Sequence, residues 1–221
     1  MTEPDWLKTP VPIYLEVGSK KVFASSVHWV GWSRAAKTEE QAIEALAEYT
    51  GRYRPVPRKA GIEFFADAPD DFKVVERLKG NATTDFGAPG IIAEAERAQL
   101  SPAEAKRCAD LLKATWQVLD KVVAQAPPHL KKGPRGGGRD RDAVFRHVIG
   151  AETGYARQLG IKMPEPAAED KNAINQLRKA IYEEIAAAKA PEAKWPPRYA
   201  ARRMAWHVLD HAWEIEDKSP E

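Results

Sequence analysis

Three of the five histidines in this 221-residue chain have the spacing and setting of metal ligands. His207 and His211 belong to the run His207-Val208-Leu209-Asp210-His211. On a helix, residues four apart share one face and lie one turn apart. Two imidazoles so placed reach a single ion at the roughly 2.0–2.1 Å of a zinc–nitrogen bond. His147 is the third, inside the apolar stretch Val144-Phe145-Arg146-His147-Val148-Ile149, which turns it towards the interior or the edge of a helical assembly. Three neutral imidazoles leave a divalent ion its full charge and at least one open position, the pattern of catalytic zinc sites. Such an ion lowers the pKa of a bound water towards about 7, or holds a thiolate and presents it to an electrophile. The pattern does not choose between these chemistries. Zinc, nickel and iron are the expected ions, and affinity order alone does not separate them.

Other residues share these helix faces. Arg203 precedes His207 by four and either holds a carboxylate or phosphate of a substrate or makes a surface ion pair. Glu214 lies three past His211, where it is a fourth ligand, a carboxylate that orients a ring, or a solvated side chain. Tyr155, eight past His147, lines a pocket or packs in the core. Glu152 is turned off the ligand face and is expected to brace helix packing. Ala151 and Gly154 keep the His147 face small. A helix-interior glycine costs about 1 kcal/mol against alanine, accepted either for room beside a site or for close helix packing. Trp206 and Trp213 are expected to pack, and His28 and His129 to be structural or solvated.

Positioning these groups needs helices. Ser101-Pro102-Ala103-Glu104 starts the first, with Ser as N-cap, Pro at the first helical position and Glu at the third. Cys108, Leu111, Leu112, Thr115, Leu119 and Val122 give it one apolar face. Pro127-Pro128 stops it. The second helix spans about residues 140–159 and ends at Gly160. The third spans about 168–189, with Ile174, Leu177, Ile181 and Ile185 buried and Pro191 closing it. The fourth follows Pro196-Pro197 and runs to about Asp217. In an up-down-up-down bundle the second and fourth helices run in the same sense, which brings His147 and His207 to one height within about a turn. The basic loop Lys131 to Arg139 feeds the second helix, where free amides attract anions; it is either an anion grip or a solvated loop.

The first half reads as mixed. Strands are expected over 12–17, 21–29 and 32–36, with a turn at Gly18-Ser19. Thr38-Glu39-Glu40-Gln41 caps a helix that carries Ala42, Leu46 and Tyr49 and ends at Gly51. A further strand covers 72–78. Residues 81–90, with little periodicity, read as part of a linker. The fold class is α+β: a small β-β-β-α-β domain over 1–80, a linker over 81–99 and a four-helix bundle over 100–221.

A histidine in the second helix followed by a glutamate, His147 to Glu152, and then the pair His207 and His211 in the fourth, resembles the DinB-like superfamily of metal-binding four-helix bundles. The resemblance covers about residues 100–217. It implies a thiol-dependent S-transferase or isomerase that uses a low-molecular-weight thiol, within a family that also holds many members of unknown activity. The first half, with Tyr14, Phe23 to Trp32 and the Thr38-Glu39-Glu40-Gln41-Ala42 helix start, resembles the HicB-type antitoxin fold. That implies a ligand- or partner-binding addition, with no DNA-binding tail.

Composition sets the outer limits. Lys+Arg 34 against Asp+Glu 32 gives a net charge of +2, without the concentrated basic surplus of a nucleic-acid binder. The lone Cys108 allows no internal disulfide. The acidic N-terminus lacks the basic and apolar regions of a signal peptide, and no apolar run approaches a membrane span. The expected location is the cytoplasm, the expected partner a small-molecule substrate, and a homodimer is allowed. Two functions fit: a metal-dependent transferase or hydrolase, or a non-catalytic binding or regulatory module whose metal is structural or absent.

Overall fold

The computed structural model describes residues 5–65, 67–133, 137–188 and 194–220. The chain is α+β. Strands β1 (Val11–Val17), β2 (Val22–Ser26) and β3 (Ser33–Ala36) form an antiparallel meander. Helices α1 (Glu39–Glu48), α2 (Thr50–Tyr53) and α3 (Pro55–Ala60) lead to β4 (Phe72–Lys79), which pairs parallel to β1. The sheet order is β3-β2-β1-β4. Two short helices follow, α4 (Ala82–Phe86) and α5 (Glu94–Arg97). Four long ones complete the chain: α6 (Pro102–Gln125), α7 (Arg141–Gln158), α8 (Lys171–Ala186) and α9 (Pro197–Lys218). None of the described helices is long and apolar enough to cross a membrane.

Several boundaries differ from the sequence expectation, each for a local reason. The strand expected over 21–29 stops at Ser26, because the Ser26 hydroxyl accepts from the Trp29 backbone N–H and turns the chain. Gly51 does not end a helix: α1 stops at Glu48, and Gly51 lies inside α2. Helix α8 begins three residues late, because the Asp170 carboxylate caps it by accepting from Ala173 N–H at 2.9 Å. Pro191, expected to close that helix, lies outside the described residues. The expected caps on α1 and α6 are in place. Thr38 Oγ1 accepts from Gln41 N–H, and Ser101 and Glu104 bond reciprocally.

Residues 81–99 are not an extended connection. Asn81 and Thr84 form a capping box on α4. The fully buried Glu16 of β1 accepts from the Thr84 hydroxyl and from the backbone N–H groups of Gly90 and Ile91. A carboxylate inside a protein is tolerated only when so many donors meet it. Glu96 of α5 is paired with buried Arg202 of α9 at 2.8 Å. The segment thus ties the sheet to the long helices.

Helix α9 is the axis of the second half. It packs against α6, α7, α8 and α5, and every residue from Tyr199 to Leu209 is buried. Helix α6 contributes Leu111, Leu112 and Leu119, all fully buried. Each such side chain stabilises the fold by roughly 1.5–3 kcal/mol. One continuous apolar core runs from Ile13 and Leu15 of the sheet through these leucines to Val208 and Leu209. At Gly31 (φ +87°) the turn before β3 touches α9, and an added Cβ would lie 2.7 Å from Ala205 Cβ. Both the backbone conformation and the close approach require glycine there.

Candidate metal centre

Helices α7 and α9 bring the three predicted histidines together. Their ligand nitrogens all lie within 4.8 Å of one another. His207 and His211, one turn apart on α9, have ring centroids 4.5 Å apart; His147 of α7 completes the triangle at 5.1 and 4.9 Å. His147 Nε2 stands 3.2 Å from His207 Nε2. Two nitrogens bound to one tetrahedral ion at zinc distances are about 3.3–3.4 Å apart, so this spacing fits a shared ion. His207 and His211 are buried, whereas His147 is exposed and stands at the rim. The cluster is therefore reached from outside on the His147 side.

The electrostatics suit neutral ligands. Burial, then the proximity of His211 and His147, push the His207 pKa down to about 2. Burial and the charge of Arg139 lower that of His147. Protons therefore compete weakly for these nitrogens. Glu214 is not among the clustered ligands. Its Oε2 meets His211 Nδ1 at 2.7 Å, and its Oε1 accepts from Lys218 Nζ at 2.6 Å. The bond to His211 comes first among the causes that hold its carboxyl down at about 2. Of the three roles open to it, orienting a ring is the one the geometry supports: with Nδ1 engaged, His211 offers Nε2 to an ion.

The remaining candidates sort themselves by contact. Tyr155 is half-buried beside the centre, its ring 5.7 Å from that of His207 and 5.2 Å from that of Trp195. Arg203 is not a surface ion pair. It is 9% exposed, and no carboxylate among the described residues pairs with it. Its guanidinium lies 5.5 Å from the Tyr155 ring and 4.8 Å from the Trp206 ring, and its Nη1 is buried without a hydrogen-bond partner. Glu152 is buried away from the centre and binds Arg178, which also meets Asp120, so it braces packing as expected. A Cβ added at Gly154 would meet nothing within 4 Å, which removes close packing as the reason for that glycine. Trp206 packs on Phe23 and Trp213 on Tyr49, both in the first half. Cys108 is buried, and burial raises its thiol pKa, so it is no nucleophile.

Two residues near the centre carry no signal in the sequence: Trp195, which reaches it through Tyr155, and Arg139. Trp195 carries no helical periodicity, and its Pro-Pro successor marks only a helix start. Arg139 belongs by sequence to a basic loop, yet its Nη2 lies 3.6 Å from Glu214 Oε2. Of that loop, residues 134–136 lie outside the described residues. In the rest, Lys132 is bound to Asp140 at 2.6 Å, and the Asp140 carboxylate already stands at the start of α7. An acidic group in that position weakens the case for an anion grip there. One cleft lies elsewhere, between α6, α7 and α8 around Arg178, and among the described residues it holds no comparable ligand set.

Comparison with protein-family models, curated proteins and solved structures finds no match. The functional reading therefore rests on the geometry alone.

Proposed function

We propose that α6 to α9 form an up-down-up-down, metal-binding bundle of the DinB-like type, and that the chain is a metal-dependent enzyme acting on a small molecule. The reaction is S-transfer from a low-molecular-weight thiol, or hydrolysis. The observation that carries this reading is the cluster of His147, His207 and His211, with His211 braced by Glu214. A divalent zinc, nickel or iron ion bound there supplies Lewis acidity that activates a water or a thiol. The protein's own part is to hold three neutral imidazoles and keep one side open. Tyr155 and Trp195 wall that side, and the rim position of His147 leaves it accessible.

Helical assemblies of this size fold without metals, so a three-histidine cluster is more economically read as reactive than as structural. The test is turnover. Metal-loaded protein is assayed for transfer of cysteine or glutathione to an electrophile and for ester hydrolysis, beside His207→Ala. Metal-dependent turnover that disappears in the variant supports the enzyme. A bound metal whose removal lowers stability, without any turnover, would point to the second reading, a binding or regulatory module. That reading draws support from Phe86 and Val75, apolar side chains on the sheet half that stand 87% and 49% exposed and suit a partner contact there.

A further inference from the structure

Arg203 stands apart from the other buried or half-buried arginines of the long helices: Arg107 and Arg198 each make a hydrogen bond, and Arg203 has a buried Nη1 with no partner. Its neighbour Arg202 is buried too, but Glu96 and the carbonyls of Pro89 and Ile91 satisfy it. Arg178 is buried and paired with Glu152 and Asp120. Arg203, on the same helix as the ligands and one turn before His207, has neither a carboxylate nor a carbonyl partner among the described residues. The faces of Tyr155 and Trp206 stabilise a cation but accept none of its N–H donors in the plane of the guanidinium. Leaving the Nη1 donor buried and unmet costs free energy that evolution rarely tolerates without a use.

The position defines that use. Tyr155 lies beside both Arg203 and His207, and so does Trp206. The guanidinium and the metal centre therefore share two walls. Along a helix four residues rise about 6 Å, the span of a short two-headed molecule. The nearby buried acid, Glu16, spends its oxygens on Thr84, Gly90 and Ile91, so it gives Arg203 no direct partner, and the guanidinium is left as a single forked cation. One planar, forked cation matches one carboxylate; a phosphate dianion calls for more charge than this.

We infer that Arg203 is the anchor for a substrate carboxylate, and that the substrate is a small carboxylic acid whose second functional group, a few bonds away, reaches the histidine centre. The second contact rests on the metal reading above; the first rests on Arg203 alone. The carboxylate enters as the anion and leaves unchanged, so binding there involves no covalent step.

Calorimetry on the zinc-loaded chain tests this with 3-mercaptopropionate and 1-propanethiol, which differ by the carboxylate. The expected result is at least tenfold tighter binding of 3-mercaptopropionate. That preference is lost in Arg203→Met and partly kept in Arg203→Lys, while zinc content is unchanged in both. Equal affinities in the wild type, or a preference that survives Arg203→Met, would overturn the inference and leave the metal reading standing. Should the chain take up no metal, the enzyme reading fails and Arg203 is judged on the metal-free protein. Propionate then changes the tryptophan fluorescence of the wild type but not of Arg203→Met if the inference holds, and of neither or of both if it is wrong. Stronger binding of inorganic phosphate than of propionate would overturn the choice of carboxylate.

Discussion

At the scale of single residues, the centre depends on what keeps its imidazoles neutral and aimed. Glu214 aims His211 through Nδ1. Losing such a supporting carboxylate typically weakens a metal site about 10–100-fold. Glu214→Gln is therefore expected to lower metal affinity by that factor in a chelator competition, with the fold intact; unchanged affinity would make Glu214 a bystander. His207 yields a pH dependence. Its folded pKa of about 2 lies below the unfolded value of about 6.5, so the unfolded chain binds more protons between those limits. The stability His207 contributes is thus complete above pH 6.5 and is lost as the pH falls. His211 beside it, His147 and Arg139 from the α7 side, and Arg203 one turn before it all oppose its protonation. Glu214 adds a loss of the same sign, but only below about pH 4.5. Urea unfolding of metal-free protein between pH 7.5 and 5.0 should show falling stability with acidification. The slope should be shallower in His207→Ala, and equal slopes would contradict the assignment.

At the scale of elements, α9 carries two of the three clustered histidines and its neighbours set its place. Gly31 fixes how closely the turn before β3 approaches α9 at Ala205, two residues from His207. Gly31→Ala adds a methyl group into that contact and strains a positive φ, which together cost about 1–3 kcal/mol. The measurement is the denaturation midpoint, and an unchanged midpoint would mean that the contact is loose. This scale also shows what the sequence could reveal. Pro197 and the Ser101–Glu104 box marked the starts of α9 and α6, because caps and prolines act within a few residues. The His207/His211 pair was visible because a helix repeats every turn. The start of α8 was misplaced, since Ala168 and Glu169 favour helix while the Asp170 cap decides where it begins. Helix α4 and its neighbours read as a linker because their partner, Glu16, lies far away in the chain. Likewise, Arg203 was open to a surface pair until its burial and isolation were seen, and neither is a property of local spacing.

At the scale of the whole molecule, the sheet and the long helices share one continuous apolar core. Trp206 packs on Phe23, Trp213 on Tyr49, and Glu96 pairs with Arg202. Arg52 of α2 binds Glu216 and Asp217 at the far end of α9. The chain is therefore expected to unfold in one cooperative transition, with circular dichroism and tryptophan fluorescence coincident. Two separated transitions would mean that the halves are independent. The same packing lets the sheet half hold α9, and with it His207 and His211, in place.

The central claim is that His147, His207 and His211 hold one ion across α7 and α9. Elemental analysis of protein purified without a histidine tag tests it most directly, wild type beside His147→Ala. The account predicts about one equivalent of a transition metal in the wild type and its loss in the variant. A wild type that stays metal-free even after incubation with zinc or nickel, or a variant that keeps its metal, would contradict it.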